Sequence, residues 1–359
     1  MNISTFIYVF TLVFTLWLPV IDALSTNMTK NLKVLVSSND FPDSAVALLE
    51  EHFTVLKSRY INFGEEGLNE NKQELLNLIP GCSALIWVSH HQITKELLDK
   101  AGPQLKIVST ASAGYNNCNL PELKARGIKL TNTPDVLSAA VGEIAVSLMI
   151  AAARRFTENL DQVRRGEWEI GFQKVLGQDL RGSTVGIVGF GGIGQATAKR
   201  LAGFEVGKFI YTGHNEKPQA KEFNAQLVPL DELLAESDFI LLSAPLTDET
   251  RHMINKTTLA KMKKNAIVVN VGRGDLINQD DLYDALKNNQ IYAAGLDVTT
   301  PEPLPKDHKL FTLSNLFVLP HIGSATARTR NDMAFLAARN VVNALQGQPL
   351  LTPICTCEY

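Results

Sequence analysis

The sequence predicts an α/β protein made of two doubly wound parallel-sheet domains. Three observations lead there. The chain has 359 residues, the length of two domains at roughly 150 residues each. Short runs rich in Val, Ile and Leu alternate with helical patterns from Leu32 onward, as βαβ units require. That alternation comes in two series, one on each side of an Ala-rich segment, Ser138–Arg155. Composition agrees: hydrophobic residues make up 45% and charged residues 20%, which fits a globular chain with a sizeable core and excludes disorder. Lys plus Arg is 34 and Asp plus Glu is 37, a net charge of -3, so no basic excess points to nucleic acid. Four cysteines in 359 residues cannot staple a chain of this size, and burial must build the core. A disulfide miniprotein, a collagen, a coiled coil and a multispan membrane protein are excluded together.

The elements follow in order. Phe6–Ile21 is uncharged and Ala23-Leu24-Ser25 supplies small residues at the two positions a signal peptidase reads. The run is short for a spanning helix, and residues 1–25 are expected to be a hydrophobic leader, a signal peptide cleaved after Ala23 or Ser25. No Lys or Arg precedes the run, and the first basic residue is Lys30; an uncleaved anchor is the other reading. Lys33–Ser37 reads as a strand and Pro42–His52 as a helix, with proline at its start where a missing N–H costs little. Leu85–Val88 and Lys106–Thr110 read as further strands, and Glu96–Ala101 and Pro121–Arg126 as short helices. Ser138–Arg155 is nearly uncharged until its basic end. Such a helix is buried between layers and is read as the one joining the two domains, a core helix within one domain being the alternative. The second series has strands at 184–189, 208–212, 239–242, 266–271, 293–298 and 316–320, then a final helix, Thr326–Leu345. Apolar on both faces, these strands belong to a sheet covered on both sides.

Gly189-Phe190-Gly191-Gly192-Ile193-Gly194 is a G-x-G-x-x-G motif. It follows a strand, opens a helix (Gln195–Leu201) and precedes a second strand ending at Thr212, the context of a dinucleotide site. Gly189 allows the tight turn, Gly191 lets the backbone approach a pyrophosphate, and Gly194 lets the helix lie against the sheet. The helix N-terminus favours the diphosphate charge. NAD sites place Asp or Glu at the end of the second strand, on the ribose 2′-hydroxyl. Here Thr212 is followed by Gly213, His214, Asn215, Glu216 and Lys217. Without a carboxylate at Thr212, and with His214, Asn215 and Lys217 as donors, a 2′-phosphate is accommodated. NADP(H) is therefore favoured and NAD(H) remains open.

Three polar residues stand near the carboxyl ends of late strands: Arg273, Asp297 and His321. That edge is where open α/β sheets bind ligands. Glu302 lies in the Pro-rich loop VTTPEPLP, whose backbone has little freedom. Hydride transfer to a carbonyl carbon leaves an oxygen that needs a proton, and imidazole is the natural donor near neutral pH. A carboxylate from Glu302 would favour the imidazolium of His321 and orient its ring. Arg273 suits an α-carboxylate and its neighbouring carbonyl, because a guanidinium is a planar fork. Asp297 could accept from the nicotinamide region. Taken singly, each has a plainer reading as a surface pair, a solvated loop residue or a half-buried imidazole.

These segments resemble the D-isomer-specific 2-hydroxyacid dehydrogenases, and among them the glyoxylate reductase/hydroxypyruvate reductase group. The resemblance covers roughly residues 32 to 350. It is carried by SDFILLSAPLT (237–247), NVGRGDLINQDDL (270–282), AAGLDVTTPEPLP (293–305) and LPHIGSATARTR (319–330). It implies Arg273 as the substrate-binding arginine, Glu302 as the His partner and His321 as acid/base. It implies that backbone N–H groups of Ala113 and Gly114 hold the substrate carboxylate, that Arg273 and His321 also bind the substrate, that Pro245, Val271 and Gly323 line the cofactor, and that Asp297 lies near the nicotinamide. It implies a flavodoxin-like substrate domain (32–134 plus 325–355), a Rossmann coenzyme domain (135–324) with a cleft between them, and a homodimer formed largely through the coenzyme domains. The expected reaction is reduction of glyoxylate or hydroxypyruvate to glycolate or D-glycerate. Departures from the family are Ala113, where Val is often found, and the segment Trp168–Gln178, which keeps one tryptophan, Trp168, where vertebrate relatives carry two. Glu302 argues against the formate-type relatives, which carry Gln. Another short 2-keto acid, or a dinucleotide-sensing binding protein of the same fold, are the alternatives. The leader points to the secretory pathway, whereas the family points to the cytoplasm.

The remaining features carry less. Cys355-x-Cys357 lacks companion ligands at metal spacing, so no metal is expected. Cys82 and Cys118 read as core thiols and His90-His91 as a polar loop. Asn27-Met28-Thr29 and Asn255-Lys256-Thr257 match the glycosylation sequon.

Overall fold

The computed structural model describes residues 30–60, 65–88, 91–168, 171–174 and 176–354. The expected leader, the sequon at Asn27, His90, Cys355 and Cys357 lie outside them. The described residues divide into two compact units: those up to Thr133 with those from Arg330 onward, and those of Pro134–Thr329.

The first unit holds β1 (Lys33–Val36), α1 (Asp43–Glu50), β2 (Thr54–Lys57), α2 (Glu65–Leu78), β3 (Cys82–Trp87), α3 (Lys95–Ala101), β4 (Ile107–Thr110), α4 (Leu120–Ala125) and β5 (Lys129–Thr131). Its sheet is parallel, in the order β2-β1-β3-β4-β5, the flavodoxin-like doubly wound order. Alternation along the strands assigns the two faces. Leu35, Leu85, Val108 and Leu130 meet Leu75, Leu76, Leu97, Leu98 and Leu123 of α2, α3 and α4. Val34, Val36, Ala84, Ile86 and Ile107 meet Ala45 and Leu49 of α1, and Ala334, Ala337 and Val341 of the long helix Ala327–Leu345. Both faces are covered, so central strands such as CSALIW are buried throughout. Cys82 and Cys118 are buried free thiols, and burial pushes them up to about 11 and about 12.

The second unit holds α5 (Ser138–Ala153), α6 (Phe156–Arg165), β6 (Thr184–Val188), α7 (Gly192–Leu201), β7 (Lys208–Thr212), β8 (Gln226–Leu227), α8 (Leu230–Glu236), β9 (Phe239–Leu242), α9 (Lys256–Leu259), β10 (Ile267–Asn270), α10 (Gln279–Lys287), β11 (Ala293–Leu296) and β12 (Leu316–Val318). The seven strands are parallel in the order β12-β11-β10-β9-β6-β7-β8, the Rossmann order with one strand added. Order reverses between β6 and β9, whose carboxyl ends open the crevice where such sheets bind ligands.

Of the two readings of the Ala-rich segment, the structure takes the core helix: α5 lies within the second unit, against α7, β10, β11 and β12. Its small residues make this possible. A Cβ at Gly142 would lie 3.1 Å from the Ala196 backbone of α7, and one at Gly295 of β11 would lie 3.0 Å from Leu148. Helix α7 begins at Gly192, three residues before its expected start, because glycine weakens the helical pattern without preventing the helix. Strand ends also retreat: β11 stops at Leu296, so Asp297 follows the strand instead of lying inside it. The sequon at Asn255 is a helix cap. Its Oδ1 accepts the Thr257 and Thr258 N–H groups and its Nδ2 donates to the His252 carbonyl. Among the described residues no helix is long and apolar enough to cross a membrane.

Candidate active site

The glycine turn comes first. Gly189 follows β6 with φ +90, a conformation that favours glycine. Its N–H donates to the Thr212 carbonyl at 3.0 Å, and its carbonyl accepts the Ser243 hydroxyl at 2.8 Å. A Cβ here would lie 2.7 Å from the Ala244 backbone, and one at Gly194 would lie 2.6 Å from the Gly189 carbonyl. Both glycines thus permit backbone contact within the protein. Gly191 is different: a Cβ there would meet nothing within 4 Å. It caps α7 with no side-chain hydrogen bond. Open space over an uncapped helix start fits the diphosphate of a dinucleotide. Gly192 sits beneath Ser138 and Asp135, whose oxygens would lie 2.6 and 2.7 Å from an added Cβ; Ile193 follows it in the first turn of α7.

At the end of β7, Thr212 is half-buried and His214, Asn215, Glu216 and Lys217 are exposed. His214 lies 3.9 Å from Glu249, an exposed pair that contributes little. The Lys217 N–H donates to the Tyr211 hydroxyl at 2.9 Å, fixing the start of this segment. Pro245 is exposed in the loop after β9, while Val271 is buried directly after β10.

Arg273, Asp297 and His321 leave the same sheet edge after three neighbouring strands, β10, β11 and β12. Asn270, the buried last residue of β10, shapes the first of these turns. Its Oδ1 accepts the Gly272 N–H at 3.0 Å, and its Nδ2 donates to the Arg273 carbonyl at 2.8 Å. The Arg273 Nη1 donates to the Gly272 carbonyl at 2.8 Å. Burial lowers the guanidinium from its usual value, against the pull of the Glu302 carboxylate.

Glu302 and His321 form the centre. Glu302 Oε2 lies 2.9 Å from His321 Nδ1, and its Oε1 accepts the Thr299 N–H at 2.9 Å. Both side chains are about a quarter exposed, at 24% for His321 and 25% for Glu302, so ligand can reach them. His321 has φ +54, an uncommon conformation for a residue other than glycine. Asp297 holds it there. The Asp297 carbonyl accepts the His321 N–H at 2.9 Å, and its two carboxylate oxygens accept the Ile322 and Gly323 N–H groups, each at 2.8 Å. Burial raises the Asp297 carboxyl above its ordinary value, while those N–H groups and His321 oppose the rise. Asp297 thus braces the turn that carries His321. The residue type at the strand end was visible in the sequence, but the brace was not. Gly323 has its own protein reason, since a Cβ would lie 2.8 Å from Asp297 Oδ2.

Ala113 and Gly114 lie in the first unit, half-buried in the loop after β4. The Ser112 hydroxyl donates to the Gly114 carbonyl at 2.6 Å. Asn132, which the sequence reading passed over, donates to the Ala113 carbonyl at 2.6 Å. Thr352 in turn donates to the Asn132 carbonyl at 2.6 Å, tying this loop to the last described segment. Among the described residues no cluster of His, Cys, Asp and Glu could hold a metal ion.

A Rossmann-ordered sheet, a glycine turn open at Gly191 and a carboxylate-braced imidazole on one edge define an oxidoreductase that works with a dinucleotide. The chain belongs to the D-isomer specific 2-hydroxyacid dehydrogenases. The family model for their NAD binding domain matches residues 146–323. The glyoxylate reductase/hydroxypyruvate reductase of Homo sapiens is 47% identical over 280 residues, covering 77% of this chain and 85% of that protein. The glyoxylate reductase of Thermococcus onnurineus (strain NA1) is 41% identical over 322 residues, covering 88% and 93%. The crystal structure of an NADPH-dependent glyoxylate/hydroxypyruvate reductase from Sinorhizobium meliloti, in complex with NADP and malonate, superposes with a TM-score of 0.76 at 28% identity, over 90% of this chain and 97% of that one.

Proposed function

We propose that this chain reduces glyoxylate and hydroxypyruvate to glycolate and D-glycerate, with NADPH as the preferred reductant. The observation that carries the reading is the His321–Glu302 pair at 2.9 Å, on the sheet edge that also bears Gly189–Gly194 and Arg273. Relatives at 47% and 41% identity bear the corresponding names.

A nicotinamide cofactor held at this site would supply the hydride for the carbonyl carbon. The protein supplies the rest. Arg273 binds the α-carboxylate in its planar fork and draws electron density toward the carbonyl oxygen. His321 donates the proton which that oxygen needs. Its Nδ1 faces Glu302, so the proton leaves from Nε2. Glu302 holds the ring and stabilises the imidazolium. Ala113 and Gly114 hold the carboxylate through backbone N–H groups. The second unit acts as the coenzyme domain and the first as the substrate domain. Gly191, Gly192 and Ile193 cradle the diphosphate at the start of α7, Gly189 and Gly194 allow the turn and packing that put them there, and Pro245, Val271, Asp297 and Gly323 lie along the cofactor. Thr212, His214, Asn215 and Lys217 accept a 2′-phosphate, because no carboxylate ends β7 to repel it.

The test is initial rates at the NADPH absorbance band with hydroxypyruvate, glyoxylate and pyruvate, each against NADPH and NADH. Folded protein that turns over none of them refutes the reading. A clear preference for pyruvate replaces the substrate and keeps the reaction; a preference for NADH overturns the 2′-phosphate assignment.

Two further inferences belong here. We infer that two copies associate through α6 and the segment after it. Phe156, Leu160 and Val163 recur at helical spacing and stay exposed, followed by Trp168, Phe172 and Leu176, and Phe172 is 96% exposed. An apolar stripe of that extent marks an interaction surface. Sedimentation showing only monomer at micromolar concentration would contradict it. We also infer a secretory leader from the uncharged run Phe6–Ile21. N-terminal sequencing of protein from its native source should then begin at Leu24 or Thr26, and an intact Met1 would contradict it.

A further inference from the structure

Glu302 stands on a loop with no strand or helix of its own, so something else must hold its carboxylate against His321. Part of the answer is local: the Thr299 N–H bonds Glu302 Oε1 at 2.9 Å, and the Thr299 hydroxyl bonds the Pro301 carbonyl at 2.9 Å. These bonds shape the loop without anchoring it to anything rigid. The anchor is Gln279, the first residue of α10. Its Oε1 accepts the Thr300 N–H at 2.9 Å, and its Nε2 donates to the Thr300 carbonyl. Both backbone groups of one residue, two positions from Glu302, are thereby gripped by a single side-chain amide.

The grip is only as firm as its base. Asn278 caps α10, with Oδ1 accepting the Asp280 and Asp281 N–H groups, each at 3.2 Å, and its own N–H bonds the Ile254 carbonyl at 2.8 Å. Leu282, Ala285 and Leu286 then bury the helix in the core of the second unit. On its other side the loop rests on Gly274, whose Cβ position falls 2.1 Å from the Thr299 carbonyl oxygen. Loop and arginine turn are stacked backbone to backbone.

We propose that Gln279 is a positioning residue for proton transfer: by clamping Thr300 to α10 it holds Glu302 where it orients and charges His321. The proposal rests on the catalytic reading of the His321–Glu302 pair. Thr300 is exposed, so water replaces the amide in a variant and folding survives its loss, while the position of Glu302 does not. A displacement of about 1 Å in a group that fixes a catalytic geometry lowers rates by about a hundredfold.

The experiment measures kcat and KM for hydroxypyruvate at saturating NADPH. It compares wild type, Gln279→Ala, Gln279→Met (equal bulk, no amide), Glu302→Gln, and both Gln279 variants in the Glu302→Gln background. Circular dichroism and cofactor fluorescence confirm folding and NADPH binding. The expected result is that Gln279→Ala and Gln279→Met both lower kcat about ten- to a hundredfold, with KM and NADPH affinity close to wild type. In the Glu302→Gln background neither lowers it further, because sites acting as one unit are not additive. A purely structural role would lower activity by the same factor in both backgrounds, and that result overturns the proposal. So does wild-type kcat in Gln279→Ala while Glu302→Gln is impaired, which leaves the catalytic reading standing. Wild-type kcat in Glu302→Gln itself overturns the proposal and the reading together.

Discussion

Replacing Gly274 by alanine tests how tightly the Arg273 turn and the Glu302 loop are stacked. Gly274 does not adopt positive φ, so its backbone suits alanine and only the space is at issue. The added Cβ would lie 2.1 Å from the Thr299 oxygen, 2.2 Å from the Thr299 carbonyl carbon and 2.4 Å from the Thr300 hydroxyl, whereas ordinary contact begins at 3.4 Å. Two of those three atoms are backbone and cannot rotate away. Thr299 and Thr300 must retreat by about 1 Å, the scale at which misplacement lowers rates about a hundredfold. They cannot do so alone, because the Thr299 N–H holds Glu302 Oε1 and Gln279 holds Thr300. Overpacking of this kind costs about 1–3 kcal/mol, and at about 2–4 °C per kcal/mol for a domain of this size the midpoint falls by about 2–12 °C. The assay is kcat for hydroxypyruvate reduction with thermal unfolding by circular dichroism in parallel. Wild-type kcat and an unchanged midpoint would refute the stacking on which the site description depends.

His321→Asn keeps a side chain that tolerates the φ of +54 at this position, so the variant should unfold near the wild-type temperature and bind NADPH, with reduction slowed by at least about a hundredfold; equal loss of cofactor affinity would contradict the assigned role. Asp238 is pushed up by burial, but the Thr184 N–H, Lys263 and Asn265 outweigh this and hold its carboxyl below the ordinary 3.8. The unfolded chain therefore binds its proton more readily. The stabilisation is complete above about pH 4 and is lost as pH falls through the lower folded value. Asp238→Asn should unfold earlier than wild type at neutral pH, with the gap closing in acid; curves of midpoint against pH that stay parallel through that range would contradict the assignment.

How much of this was legible in the sequence varied with the kind of interaction. Central strands such as Ile267–Asn270 and Phe239–Leu242 were plain, because burial on both faces leaves a continuous apolar run. Thr54–Lys57 and Gln226–Leu227 were missed: both are edge strands, short and part-exposed, with no such run. Helix Glu65–Leu78 was missed because its sequence, EEGLNENKQELLNL, is mostly polar. The glycine turn was readable because backbone crowding demands glycine at fixed spacing, and the structure supplies the crowding at Gly189 and Gly194. At Asn255 the same residues admit two readings, sequon and helix cap, and only the backbone around them selects the cap.

The sequence by itself determined the fold class and the dinucleotide motif, since each depends on residue type, local spacing or apolar period, and it singled out Arg273, Glu302 and His321 as candidates by residue type. Tertiary structure decided the rest. His321 and Glu302 are 19 positions apart and meet at 2.9 Å. Asp297 braces the His321 turn, Gln279 grips Thr300 and Asn132 holds the Ala113 carbonyl. These are isolated contacts of one or two hydrogen bonds, side chain to side chain at His321–Glu302 and side chain to loop backbone at the others. They leave no periodic mark on the chain, because their geometry exists only once β4 and β5 of the first unit, and β11, β12 and α10 of the second, have been set in place by the burial of their apolar faces.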